Sequence, residues 1–159
     1  MIDITGSITI AATPARIWAA LNDPAVLCTA IPGCSSLTGT AETGFDAVVD
    51  QKIGPLHARF NGRLSLRDAV PGQSWTILGE GVGGHAAAAK GAAHVRLEPL
   101  ECGTRLDYRV EAQVGERLAK LGGWIIRAFA RGLADSFFRH LKVAVEAEES
   151  AGGANRPSA

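Results

Sequence analysis

The stretch Gly79-Glu80-Gly81-Val82-Gly83-Gly84, followed by an alanine run that is broken by Lys90 and Gly91, decides between two folds. Gly79, Gly81 and Gly84 satisfy G-x-G-x-x-G, the spacing of a dinucleotide-binding turn. That turn requires a parallel strand before the glycines and, after them, a helix whose N-terminus faces a pyrophosphate. Trp75 to Leu78 suits the strand, but Gly91 cuts the helical candidate within a few residues of Ala86. No repeated βαβ unit flanks the motif, and Glu80 would set a carboxylate beside the bound anion. The competing parse makes Ala87, Ala89, Gly91, Ala93, Val95 and Leu97 one face of a strand, with Lys90, His94 and Arg96 on the other. The glycines then belong to an antiparallel sheet with a turn at Gly83-Gly84.

The flanking sequence favours the sheet. Leu56, Ala58, Phe60, Gly62, Leu64 and Leu66 alternate with His57, Arg59, Asn61, Arg63, Ser65 and Arg67. Leu106, Tyr108, Val110 and Ala112 alternate in the same way with Arg105, Asp107, Arg109 and Glu111. Period two with one dry face predicts half-buried antiparallel strands. Turn residues separate the runs at Thr43-Gly44, Gly54-Pro55, Pro71-Gly72 and Cys102-Gly103. Upstream, Ile2, Ile4, Ile8 and Ile10 predict a first strand. Thr13-Pro14 and Asp23-Pro24 each supply a cap followed by a proline in the first turn, which predicts two short helices. Downstream, residues 115 to 148 predict a long helix. Its stripe is Leu118, Leu121, Ile125, Phe129, Leu133, Phe137, Leu141 and Val145, interrupted near its start by Gly122-Gly123.

These elements assemble most simply as α+β: a curved antiparallel sheet wrapped around a long C-terminal helix. The expected domain is residues 1–149, with 150–159 as a disordered tail. At 159 residues, with 47% hydrophobic and 20% charged residues, the chain suits one core. Sixteen basic residues balance sixteen acidic ones, which argues against nucleic acid as a partner. No apolar run reaches membrane-spanning length and no secretory signal is visible, so the expected location is cytoplasmic. Cys28, Cys34 and Cys102 lack C-x-x-C spacing and read as reduced thiols. His57, His85, His94 and His140 form no ligand pair, and no nucleophile elbow or paired carboxylate stands out. Neither a metal, a cofactor nor catalysis is expected.

Small residues on a core-facing strand have two readings. They let the helix approach the sheet closely, or they leave volume for an apolar ligand. If the volume is real, strand parity and helix face select Phe60, Trp75, Gly91, Tyr108, Leu121, Ile125 and Phe129 as its lining. Tyr108, His57 and His94 are the acid–base groups that a catalytic version of this cavity would use. Trp124, Ile125, Ile126, Phe129, Phe137 and Phe138 with neighbouring arginines also resemble an interfacial membrane helix. Burial against the sheet competes for the same surface.

The chain resembles the carbon monoxide dehydrogenase G-subunit family, within the START/polyketide-cyclase-like superfamily (SRPBCC). The matching pieces are Asp23-Pro24 with Ile31-Pro32-Gly33-Cys34, and Lys52-Ile53-Gly54-Pro55 through Phe60-Asn61-Gly62. They continue with Gly79-Glu80-Gly81 to Lys90-Gly91-Ala92-Ala93, Gly103-Thr104, and Val114-Gly115 to Leu121-Gly122, spanning about residues 2 to 146 in order. The resemblance implies a helix-grip fold, β-α-α-β6-α, with seven strands and a deep apolar cavity. It implies a non-catalytic accessory protein that handles a lipid or quinone, serves a molybdenum hydroxylase of the carbon monoxide or xanthine dehydrogenase type, and makes peripheral contact with the inner face of the membrane. It leaves as alternatives a cyclase- or dehydratase-like enzyme on the same fold, or a structural adaptor without ligand. The tail, Gly152 to Ala159, lacks the apolar anchor that membrane-attached members carry.

Overall fold

The computed structural model describes residues 2–40, 42–53, 56–83 and 88–155. Strand β1 (Ile2–Ile10) is followed by helices α1 (Pro14–Leu21) and α2 (Pro24–Ala30). Six strands come next: β2 (Cys34–Thr40), β3 (Gly44–Ile53), β4 (Leu56–Val70), β5 (Ser74–Gly83), β6 (Ala88–Leu100) and β7 (Gly103–Val114). A short helix α3 (Glu116–Ala119) precedes the long helix α4 (Gly123–Asn155). The seven strands form one antiparallel sheet in the order β1-β7-β6-β5-β4-β3-β2. This is the helix-grip arrangement.

Local chemistry explains the boundaries. The Thr13 hydroxyl accepts from the Arg16 amide at 3.3 Å, and the Asp23 carboxylate accepts from the Ala25 amide at 2.9 Å. Each cap satisfies one free N–H where proline occupies the first turn. Gly122, at φ +99°, takes the left-handed conformation that separates α3 from α4. Its carbonyl then accepts from the Ile126 amide at 3.2 Å and starts the long helix. The expected interruption at Gly122-Gly123 is therefore a complete break, which adds a helix that the β-α-α-β6-α pattern does not contain. At its other end α4 continues through Ser150, where a tail was expected, to Asn155; residues 156–159 lie outside the described residues.

The glycine motif stands in an antiparallel strand. Gly79 and Gly81 sit inside β5, with Gly91 and Ala89 directly opposite them on β6. Gly84, His85 and the centre of the expected turn lie outside the described residues, as do Gly54 and Pro55. Among the described residues β5 leads into another strand rather than a helix, so no helix N-terminus faces these glycines.

Helix α4 does not use the expected face throughout. The residues it buries are Ile126, Ala134, Phe138, Leu141 and Val145, while Ile125, Phe129, Leu133 and Phe137 are half-buried. For most of its length the buried line is turned by one residue, about 100° of helix. The reason is size: Ala130 and Ala134 let the helix axis come close, and the larger side chains flank the contact. Two α4 side chains also bind backbone groups at the end of the β1 edge and just after it. Lys142 Nζ donates to the Thr9 carbonyl at 2.6 Å, and Glu146 accepts from the Ala11 amide at 2.8 Å.

Candidate ligand-binding interior

The strand register places the inner face in rows across the sheet. One row runs Ile2, Ala112, Gly91, Gly79, Leu64, Phe45; the next runs Val114, Ala89, Gly81, Gly62, Ala47. Apolar side chains gather in two clusters around these rows. The main cluster holds Trp75, Val95, Leu106, Tyr108, Phe138 and Leu141, with Leu64, Ile77 and Val110 packed against it. The second holds Ile53, Leu118 and Ile126, with Phe60, Leu121, Ile125 and Phe129 only half-buried around them. Between the clusters Gly62, Gly79, Gly81, Gly91 and Ala112 offer nothing larger than a methyl group, and none is fully buried. The centre of the sheet's inner face is a floor of small residues.

The glycines of that floor differ in what they tolerate. A Cβ on Gly91 would stand 2.7 Å from the Glu111 carbonyl oxygen, a backbone atom that cannot move aside. On Gly81 it would meet nothing closer than 3.7 Å. Gly91 is thus needed for the close approach of β6 to β7, whereas Gly81 leaves room.

Of the seven expected lining residues, the structure brings Phe60, Leu121, Ile125 and Phe129 together in the second cluster and sets Gly91 on the floor. Trp75 and Tyr108 stand apart in the main cluster. Tyr108 is 7% exposed; its ring lies over Gly6 of β1 and stacks on Phe138 with centroids 4.1 Å apart. Its hydroxyl donates to Asp135 of α4 at 2.9 Å, a partner that nothing in the local sequence announces. Burial, then the Asp135 carboxylate, pushes the phenol up to about 12, with Arg131 opposing.

A raised acid binds its proton more tightly in the folded state. Its stabilising contribution is therefore complete below pH 10, the unfolded value, and is lost as pH rises toward 12. Two units correspond to about 2.7 kcal/mol. Tyr108 is the only tyrosine, so phenolate absorbance reports it alone. The expected midpoint is near pH 12 in the folded protein and near pH 10 in concentrated urea; equal midpoints in both would refute the buried geometry.

Trp75 is 2% exposed and meets Trp18 of α1 edge-on, with centroids 4.8 Å apart. Among the described residues its indole N–H has no hydrogen-bond partner, which costs about 1–3 kcal/mol unless something else accepts from it.

The outer face has different chemistry. Asp46, Arg63, Glu80, Lys90 and Gln113 lie side by side across five strands and line an open trough of about 620 Å³. Opposite charges alternate along it, and Arg63 pairs with Asp46 at 3.0 Å. His57 and His94 are exposed on this face, the latter within 3.1 Å of the Thr76 hydroxyl. Neither shares a side of the sheet with Tyr108. Among the described residues no cluster of His, Cys, Asp and Glu could hold a metal.

Known proteins match this architecture. A conserved protein from Geobacillus kaustophilus is 26% identical with a TM-score of 0.83, over 91% of this chain and 95% of that one. The di-domain ARO/CYC protein StfQ from the steffimycin biosynthetic pathway is 18% identical with a TM-score of 0.65, over 95% of this chain and 52% of that one. Ara h 8.0201 is 13% identical with a TM-score of 0.58, over 90% and 96%. The last two establish the fold alone. A comparison with curated protein sequences returned no match. The family of the carbon monoxide dehydrogenase G subunit (CoxG) matches residues 6–146, nearly the whole described core. With its antiparallel sheet, long helix and small-residue floor in that order, the chain belongs to the CoxG family, that of the carbon monoxide dehydrogenase G subunit.

Proposed function

We propose that the protein is a non-catalytic carrier that holds an apolar ligand, a lipid or quinone, between the sheet and α4. The observation that carries this reading is the floor of Gly62, Gly79, Gly81 and Gly91 on the inner face, dividing two apolar clusters. Apolar lining with few polar groups is the usual composition of such sites. The Trp75 N–H is a buried donor suited to a single acceptor such as a carbonyl oxygen. Phe60, Leu121, Ile125 and Phe129 line one side, with Gly91 at the base; Trp75 and Tyr108 close the deep side. Native mass spectrometry of the protein purified under gentle conditions should recover an apolar molecule, and quinones or lipids should raise its melting temperature. A protein that stays empty and gains nothing from either sinks the reading.

A catalytic reading on the same fold has less support. The Tyr108 hydroxyl is committed to Asp135 and is a weaker acid than a free phenol, while His57 and His94 face away from the interior. An adaptor without ligand predicts an interior that does not respond to apolar molecules, so the same melting experiment separates it.

Membership of a family described as a carbon monoxide dehydrogenase subunit is the ground for the partner we propose, a molybdenum hydroxylase of that type. The purified pair should form a complex in size-exclusion chromatography; separate elution at micromolar concentrations excludes this partner. No helix among the described residues is long and apolar enough to cross a membrane. Peripheral contact instead uses Trp124, 78% exposed at the start of α4, with Arg127 and Arg131 exposed on the next turns and Arg117 and Lys120 exposed in and just after α3. Trp124→Ala should weaken binding to phosphatidylglycerol vesicles about tenfold, the worth of one large apolar side chain at about 1.5 kcal/mol. Unchanged sedimentation with vesicles removes Trp124 from the contact.

A further inference from the structure

Cys28 lies within α2 and Cys34 opens β2, and their sulfur atoms are 3.1 Å apart. A disulfide holds its sulfurs at about 2.05 Å, so roughly 1 Å of side-chain movement separates the pair from a bond. The surrounding backbone fixes this approach. Gly33, at φ +78°, packs on the Asp50 backbone, and its carbonyl accepts from the Asp50 amide at 2.9 Å. The Gln51 side-chain amide donates to the Pro32 carbonyl. A bulge between Cys34 and Ser36 breaks the pairing of β2 with β3 just where Cys34 meets α2. Both cysteines are half-buried and accessible to a small reagent, whereas Cys102 is exposed in the turn before β7.

We propose that Cys28 and Cys34 form a dithiol–disulfide couple, closed by exchange with a low-molecular-weight disulfide such as glutathione disulfide. The Cys28 thiolate attacks one sulfur of glutathione disulfide and expels a glutathione thiolate. Cys34 then attacks the Cys28 sulfur of the mixed disulfide, releases its proton to solvent and expels the second glutathione. The protein loses two protons and two electrons; one glutathione disulfide becomes two thiols. Burial first, and then the Cys28 hydrogen bond, pushes the Cys34 thiol up to about 11. The closing step uses the Cys34 thiolate and therefore speeds up as pH rises. The bond joins α2, which places Leu27 in the main cluster and packs against α4, to the sheet edge at β2. The couple does not depend on any ligand in the interior.

The test uses the full-length protein with glutathione disulfide in mildly alkaline buffer, quenched with iodoacetamide. The expected product has lost the mass of two hydrogens at these positions and yields, on tryptic digestion, one peptide with an internal bond between Cys28 and Cys34. Cys102 is left alkylated or glutathionylated as the internal control. Closure of a loop this short should raise the melting temperature by about 5 °C, reversed by dithiothreitol. Cys34→Ser should stop at a glutathione adduct on Cys28 with no cross-link and no such rise. A wild-type protein in which both positions end alkylated, or both carry glutathione, overturns the proposal. So does a cross-link to Cys102 in place of Cys34.

Discussion

Replacing Gly6 by alanine is expected to cost about 3 kcal/mol, at the upper end of what overpacking usually costs. The added Cβ would overlap Cζ and the hydroxyl of Tyr108, which lies directly across from Gly6 in the β1–β7 register. The ring cannot yield, because its other side is stacked on Phe138 and its hydroxyl is bound to Asp135. The strain must therefore pass into the backbone of an edge strand or into the α4 contact. A double-mutant cycle in urea isolates the cause. Against Tyr108→Ala, where the ring is gone, Gly6→Ala should be nearly neutral, giving a coupling of about 3 kcal/mol. An equal cost in both backgrounds shows that the ring is not the obstacle.

The second large effect concerns the floor. Gly81→Leu should fold within about 1 kcal/mol of the parent, since its Cβ has no neighbour inside 3.7 Å, yet its branch would stand where a ligand would lie. Affinity for the apolar ligand should fall at least about 100-fold, roughly 2.7 kcal/mol. Gly91→Ala is the complementary control. One methyl group there strikes the Glu111 carbonyl oxygen at 2.7 Å, so stability should drop by about 1–3 kcal/mol. If Gly81→Leu binds as well as the parent, the occupied volume lies elsewhere.

The strands were legible because each buries one side, so period-two alternation survives in the sequence from Ile2 to Val114. The short helices were legible because Thr13-Pro14 and Asp23-Pro24 carry both a cap and a proline. The face of α4 was harder to read. Ile125 and Ile126, Phe129 and Ala130, and Phe137 and Phe138 are adjacent apolar pairs, so periodicity fits two lines 100° apart. Contacts with α2 and β1 decide between them, and those contacts are long-range. The Tyr108–Asp135 bond spans 27 residues and joins a strand to a helix, so no local spacing encodes it. The Cys28–Cys34 approach depends on a bulge, which leaves no compositional trace. The G-x-G-x-x-G match shows the converse: glycines spaced by the close approach of strands can reproduce the spacing of a phosphate-binding turn.

Lys142 and Glu146 have a bearing on colloidal behaviour. An open sheet exposes unpaired amide and carbonyl groups along its two outermost strands, and these are templates for another chain. On one side α4 occupies the Thr9 carbonyl and the Ala11 amide with its own side chains. The other side, β2, is short, bulged and rich in serine and threonine. The end of β1 and the bulged β2 are thereby poor templates for a second strand. A sheet with so many glycines at its centre is guarded, at part of each margin, against pairing with a second copy of itself.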